Sequence, residues 1–77
     1  MKYYLTKIQT ATNMRRYYLI AVQATLLGEF CVVREYGRIG GFMRVLSPIE
    51  YPNIDEALRQ AQRFVEKRKR RGYHESH

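Results

Sequence analysis

The sequence predicts an α+β fold, an antiparallel meander of four to five strands packed against one C-terminal helix. Two residue patterns carry that reading. As far as residue 51, tyrosines and branched side chains gather in short runs separated by polar or glycine-bearing breaks, as half-buried strands require. Beyond Pro52, apolar residues return every three or four positions, which is one face of a helix. At 77 residues the chain has room for a single domain, 1–77, with a small core over about 3–73 and a frayed tail at 74–77.

Residues 2 to 9, rich in aromatic and branched side chains, suit the first strand. The polar stretch 11–16 reads as a turn, and residues 17–24 resume a strand, with Tyr18, Ile20 and Val22 on one side and Tyr17, Leu19 and Ala21 on the other. Leu27-Gly28-Glu29 marks a second turn. Phe30, Val32, Arg34 and Tyr36 then alternate with Cys31, Val33 and Glu35. Residues 37–41 make the corner before a short strand over 42–46. Asn53 is a good helix N-cap, with Glu56 three residues later. Ile54, Ala57, Leu58, Ala61, Phe64 and Val65 share the helical face that packs on the sheet, and Gly72 supplies the left-handed stop.

Charge narrows the partners. Fourteen Lys and Arg stand against seven Asp and Glu, a formal charge of +7, and ten of the fourteen are Arg, whose planar fork suits phosphate. At the centre of the chain, Arg38 lies between Gly37 and Gly40 after Tyr36, a tight turn able to bring backbone and charge close to an anion. The plain alternative is a hairpin corner with Arg38 in water. Lys67 to Arg71 are five consecutive cations, and Arg59, Arg63, Lys67 and Arg70 form one stripe opposite the apolar helix face. Dipole complementation explains part of that run, but its density also favours a bound polyanion. Arg15, Arg16, Arg34 and Arg44 flank the turns near Arg38 and extend the candidate positive surface.

Other classes find little support. The lone Cys31 sits in an apolar strand pattern and reads as core filling, which excludes an internal disulfide and a multi-thiolate zinc site. His74 and His77 fall in the tail without partners, and no triad or paired-acid spacing is present, so neither an enzyme nor a metal or cofactor site is expected. No apolar run is long enough to cross a bilayer and no leader layout is visible, so the expected location is the cytoplasm, away from membranes.

Asn13 to Tyr18, then Phe30 to Gly40 with its Tyr36-Gly37-Arg38-Ile39-Gly40 corner, then Asp55-Glu56-Ala57 opening a helix that closes with Glu66-Lys67 and Arg71-Gly72-Tyr73, together resemble the WGR domain over about residues 3 to 73. That domain takes its name from a Trp-Gly-Arg motif and occurs beside the catalytic region of DNA-dependent poly(ADP-ribose) polymerases and in small bacterial proteins. Tyr36 stands where the motif has tryptophan. The resemblance implies a non-catalytic module that engages DNA ends. Tyr36 would pack on the sugar-phosphate chain, Gly37 would permit close approach, Arg38 would supply charge, and Asn13 would meet the terminal phosphate. With Arg15, Arg16, Arg34, Arg44, Lys67 and Arg71 these make the expected nucleic-acid site, with DNA favoured over RNA, on a monomer or weak dimer. The alternative is a protein-interaction module whose sheet face docks an acidic partner or a second copy. That alternative needs an exposed apolar patch, whereas the DNA reading needs clustered arginines with few acids.

Overall fold

Backbone pairing, rather than length of any one element, organises the molecule. The computed structural model describes residues 1–76. In chain order it contains β1 (Lys2–Gln9), a 3-10 turn (Thr10–Thr12), β2 (Met14–Ala24), β3 (Phe30–Arg38), β4 (Met43–Val45), β5 (Ile49–Tyr51), α1 (Ile54–Arg70) and β6 (His74–Glu75). The strands form one antiparallel sheet in the order β4-β3-β2-β1-β6, with β5 paired to the start of β3. This is the α+β meander with one C-terminal helix that the sequence predicts.

Register divides the sheet into two faces, because directly opposed residues and positions two apart share a side. Leu5, Tyr18, Tyr36 and Arg44 make one row across β1 to β4. That side carries the core, where Leu5, Ile20 and Val32 meet Ala57, Ala61 and Val65 of α1, all with no exposed surface. Tyr4, Leu19, Glu35 and Val45 make the neighbouring row on the other side, which no helix among the described residues covers.

Helix α1 begins as its residues dictate. The Asn53 side chain accepts from the Glu56 backbone N–H at 2.8 Å. The return arm of a capping box is not made, because the Glu56 carboxylate turns instead to Arg59 and Gln60. Ile54, expected on the packed face, is 45% exposed because it lies a full turn ahead of Ala57, the first residue seated on the sheet. At the far end Gly72 adopts φ +93°, its N–H bonds to the Lys69 carbonyl at 3.0 Å, and the Tyr73 N–H bonds to the Arg68 carbonyl at 3.1 Å. These two bonds are a Schellman turn, which reverses the chain sharply.

That reversal corrects the reading of a frayed tail. Tyr73 drops into the core at 8% exposure, His74 and Glu75 pair with Thr6 and Leu5, and the Ser76 N–H bonds to the Tyr4 carbonyl at 2.9 Å. His77 lies outside the described residues. Strand β2 also starts three residues earlier than the pattern suggests. The turn before it occupies only the 3-10 segment and Asn13, which takes the left-handed φ of 53°. Cys31 is buried, on the face away from the helix.

Candidate nucleic-acid interface

At the end of the molecule where β2 begins and β3 finishes, the sheet, the 3-10 turn and the end of α1 enclose a cleft of about 530 Å³. Tyr36 and Tyr73 line it, and both pack on Tyr18, which is buried beneath. Tyr18, 2% exposed, lies parallel to Tyr36 with centroids 6.0 Å apart and meets Tyr73 edge-on at 6.4 Å. The Arg68 guanidinium sits 4.1 Å from the centroid of the Tyr18 ring, a cation–π contact that fixes a charge at the cleft. Phe42, 67% exposed, stands at the rim.

Four arginines line this cleft, drawn from three elements. Arg16 on β2 and Arg38 on β3 are directly opposed across the ladder, and Arg68 comes from α1. The Arg38 Nη1 donates to the Asn13 carbonyl at 3.2 Å, so the left-handed residue of the turn holds the motif arginine in place. Arg15 alternates to the opposite face and borders the cleft at the start of β2, where its carbonyl accepts from the Ile39 N–H at 2.8 Å. None of the residues lining the cleft is acidic. Two or three guanidinium groups around an aromatic floor suit a phosphate attached to a flat sugar or base.

The structure brings Tyr36, Gly37, Arg38, Arg15, Arg16 and Asn13 together, and leaves four of the sequence-selected residues elsewhere. Arg34 is half-buried between sheet and helix, with its guanidinium 4.6 Å from the Phe64 ring centroid and its Nε enclosed without a hydrogen-bond partner. Arg44 is exposed on edge strand β4, directly across from Tyr36. Lys67 lies on the outer helix beside Arg63 and Arg70. Arg71 caps α1, and its carbonyl accepts from Lys7 Nζ at 2.8 Å.

Gly37 has a different purpose from the one its motif suggests. It is buried within β3, and a Cβ there would overlap the Phe42 carbonyl and approach the Met43 Cα to 2.9 Å. The glycine therefore admits the returning β4 backbone, and it shapes the cleft by letting that strand close on β3. Arg68 and Tyr73 were missed as site residues. For Arg68 a signal existed: it extends the series Ala57, Ala61, Val65 that faces the sheet, so the run of cations conceals one that must point inward.

The acids are segregated from the cleft. Glu35 lies on the uncovered face, where its carboxylate accepts from the Tyr17 hydroxyl at 2.7 Å, and Glu50 opposes Cys31 on the same side. That hydrogen bond, with burial and the Glu35 charge adding to it, pushes the Tyr17 phenol up to about 12.

The family model of the WGR domain matches residues 1–77. Over 72 residues the chain is 31% identical to a Sinorhizobium fredii (strain NBRC 101917 / NGR234) protein named "Uncharacterized protein y4dW", a match covering 91% of this chain and 34% of that protein. The chain thus spans about a third of the length of that relative. No solved structure matches it. With its Tyr36-Gly37-Arg38 motif on the cleft wall and the family match running from end to end, the chain belongs to the WGR domain family, non-catalytic domains that generally bind nucleic acid.

Proposed function

We propose that this WGR domain binds DNA at its ends through the cleft. A terminal phosphate is neutralised by Arg16, Arg38 and Arg68, and the adjoining sugar rests on Tyr36 and Phe42. The observation that carries the reading is the convergence of three arginines from separate elements on an aromatic floor lined by no acid. Arg44 and the outer helix stripe add a longer-range field that speeds encounter. The site is concave, so a chain end fits it better than a continuous backbone, and its arginines are given to phosphate, so sequence is read little. The preference for DNA over RNA follows the polymerases that carry this domain.

Fluorescence anisotropy with a blunt 5′-phosphorylated duplex, a hairpin-closed duplex and a single strand, each across a salt series, tests the proposal. The expected result is preference for the open phosphorylated end with affinity falling steeply in salt. Equal weak binding to all three removes end recognition and leaves only generic charge.

A further inference from the structure

The uncovered sheet face is built for something other than a polyanion. Its two central rows are Tyr4, Leu19, Glu35, Val45 and Thr6, Tyr17, Gly37, Met43. Tyr4 and Tyr17 stack with centroids 5.7 Å apart, and Tyr4, Ile8, Met43 and Val45 are 40%, 51%, 63% and 54% exposed. The exposed apolar side chains, Tyr4 and Ile8 on β1 and Met43 and Val45 on β4, thus flank a half-buried centre of Tyr17, Leu19 and Glu35, and exposed apolar surface of this kind marks an interaction site.

Charge identifies the occupant. The face carries Lys2 and Arg15 against Glu35 and Glu50, so it is formally neutral in a chain whose total is +7. Nucleic acid is repelled by a carboxylate at the centre of the patch, and an acidic protein finds far more attraction on the cleft side. A second copy of this chain meets strong like-charge repulsion over the basic cleft and helix and far less here, where a two-fold axis has only to keep Glu35 off its own counterpart. Both signs are present on the one face, so a two-fold axis through it can set acids of one copy against bases of the other. Four strands about 4.8 Å apart and some seven residues long present on the order of 450 Å² per copy, or about 900 Å² in all, which is near the low end for specific association.

We propose that two copies of this domain associate weakly through these sheet faces, stacking sheet on sheet with both clefts turned outward. The pair is then a bivalent binder, able to hold two nucleic-acid chains or two sites on one chain, with the gain in avidity that linkage supplies. The association itself does not depend on what the cleft binds.

Sedimentation equilibrium of the purified chain without nucleic acid tests it. The expected result is a monomer–dimer equilibrium with a dissociation constant in the micromolar to millimolar range. Val45→Glu and Ile8→Asn, each checked for native circular dichroism, should weaken it at least tenfold. Concentration-dependent amide shifts of the unaltered chain provide a readout free of any folding defect, and these should cluster on Tyr4, Leu19, Met43 and Val45. A monomer at all concentrations, a dimer that persists in both folded variants, or shifts clustered on the cleft each overturn the proposal.

Discussion

The two sides of this sheet are made from the same strands, yet they differ in nearly every property that governs recognition. On the cleft side, Arg16, Arg38 and Arg68 surround a tyrosine cluster without an acid among the lining residues. On the open side, charges of both signs flank exposed Ile8, Met43 and Val45. Alternation alone produces this. Every odd position from Cys31 to Glu35 faces one way and every even position from Phe30 to Tyr36 the other, so one acid–base exchange in β3 moves charge between two surfaces of different character. A small domain thereby separates a basic cleft from a formally neutral, partly apolar surface only one sheet thickness away.

The change with the largest expected effect is at a residue both sides depend on. Gly37→Val drives a side chain into the β4 backbone and should cost about 3 kcal/mol in a urea melt, with the cleft and the open face lost together. Near-native stability would mean that β4 is not seated as described. Next, Arg68→Ala and Arg38→Ala should each weaken DNA binding about tenfold at low salt and lower the salt slope by about one unit. An unchanged slope for either removes that arginine from the interface, and Val45→Glu serves as the open-face comparison.

A third test belongs to the open face alone. Because the Tyr17 phenol is held protonated up to about 12 by its bond to Glu35, the stabilisation from that pair is present in full below pH 10 and lost as pH rises towards 12. Alkaline absorbance titration should show one tyrosine ionising late, and Glu35→Ala should return it toward the ordinary value. If Glu35→Ala leaves the titration unaltered, the pair is not formed in solution. The smallest effect is expected for Arg63→Ala on the outer helix, which should leave end preference intact and reduce affinity only slightly. A loss as large as that of Arg68→Ala would move the interface onto the helix.

Much of this division was legible in the residues. Alternation placed Tyr18 with Ile20 and Arg34 with Tyr36, and the helix cap and stop fall at Asn53 and Gly72 as their chemistry demands. Strands β5 and β6 were not legible. They are three and two residues long and exist because β3 and β1 offer free edges, a tertiary cause that no local pattern records. Arg34 shows the complementary limit: the pattern gave its face, but only packing shows that Phe64 covers it while Arg38, four residues on, stays exposed. The motif gave Gly37 a close approach to DNA, whereas what packs against it in the fold is the Phe42–Met43 backbone.

The chain has seven tyrosines and no tryptophan, so its near-ultraviolet optical activity arises mainly from phenol rings. Two of those rings, Tyr36 and Tyr73, each pack on a third, Tyr18, beside the cleft, one parallel to it and one edge-on. Coupled transitions in such a triad make the cleft its own chromophore. Whatever settles on Tyr36 alters an absorption signal the protein already carries, so occupancy of the site can be followed on the unlabelled chain.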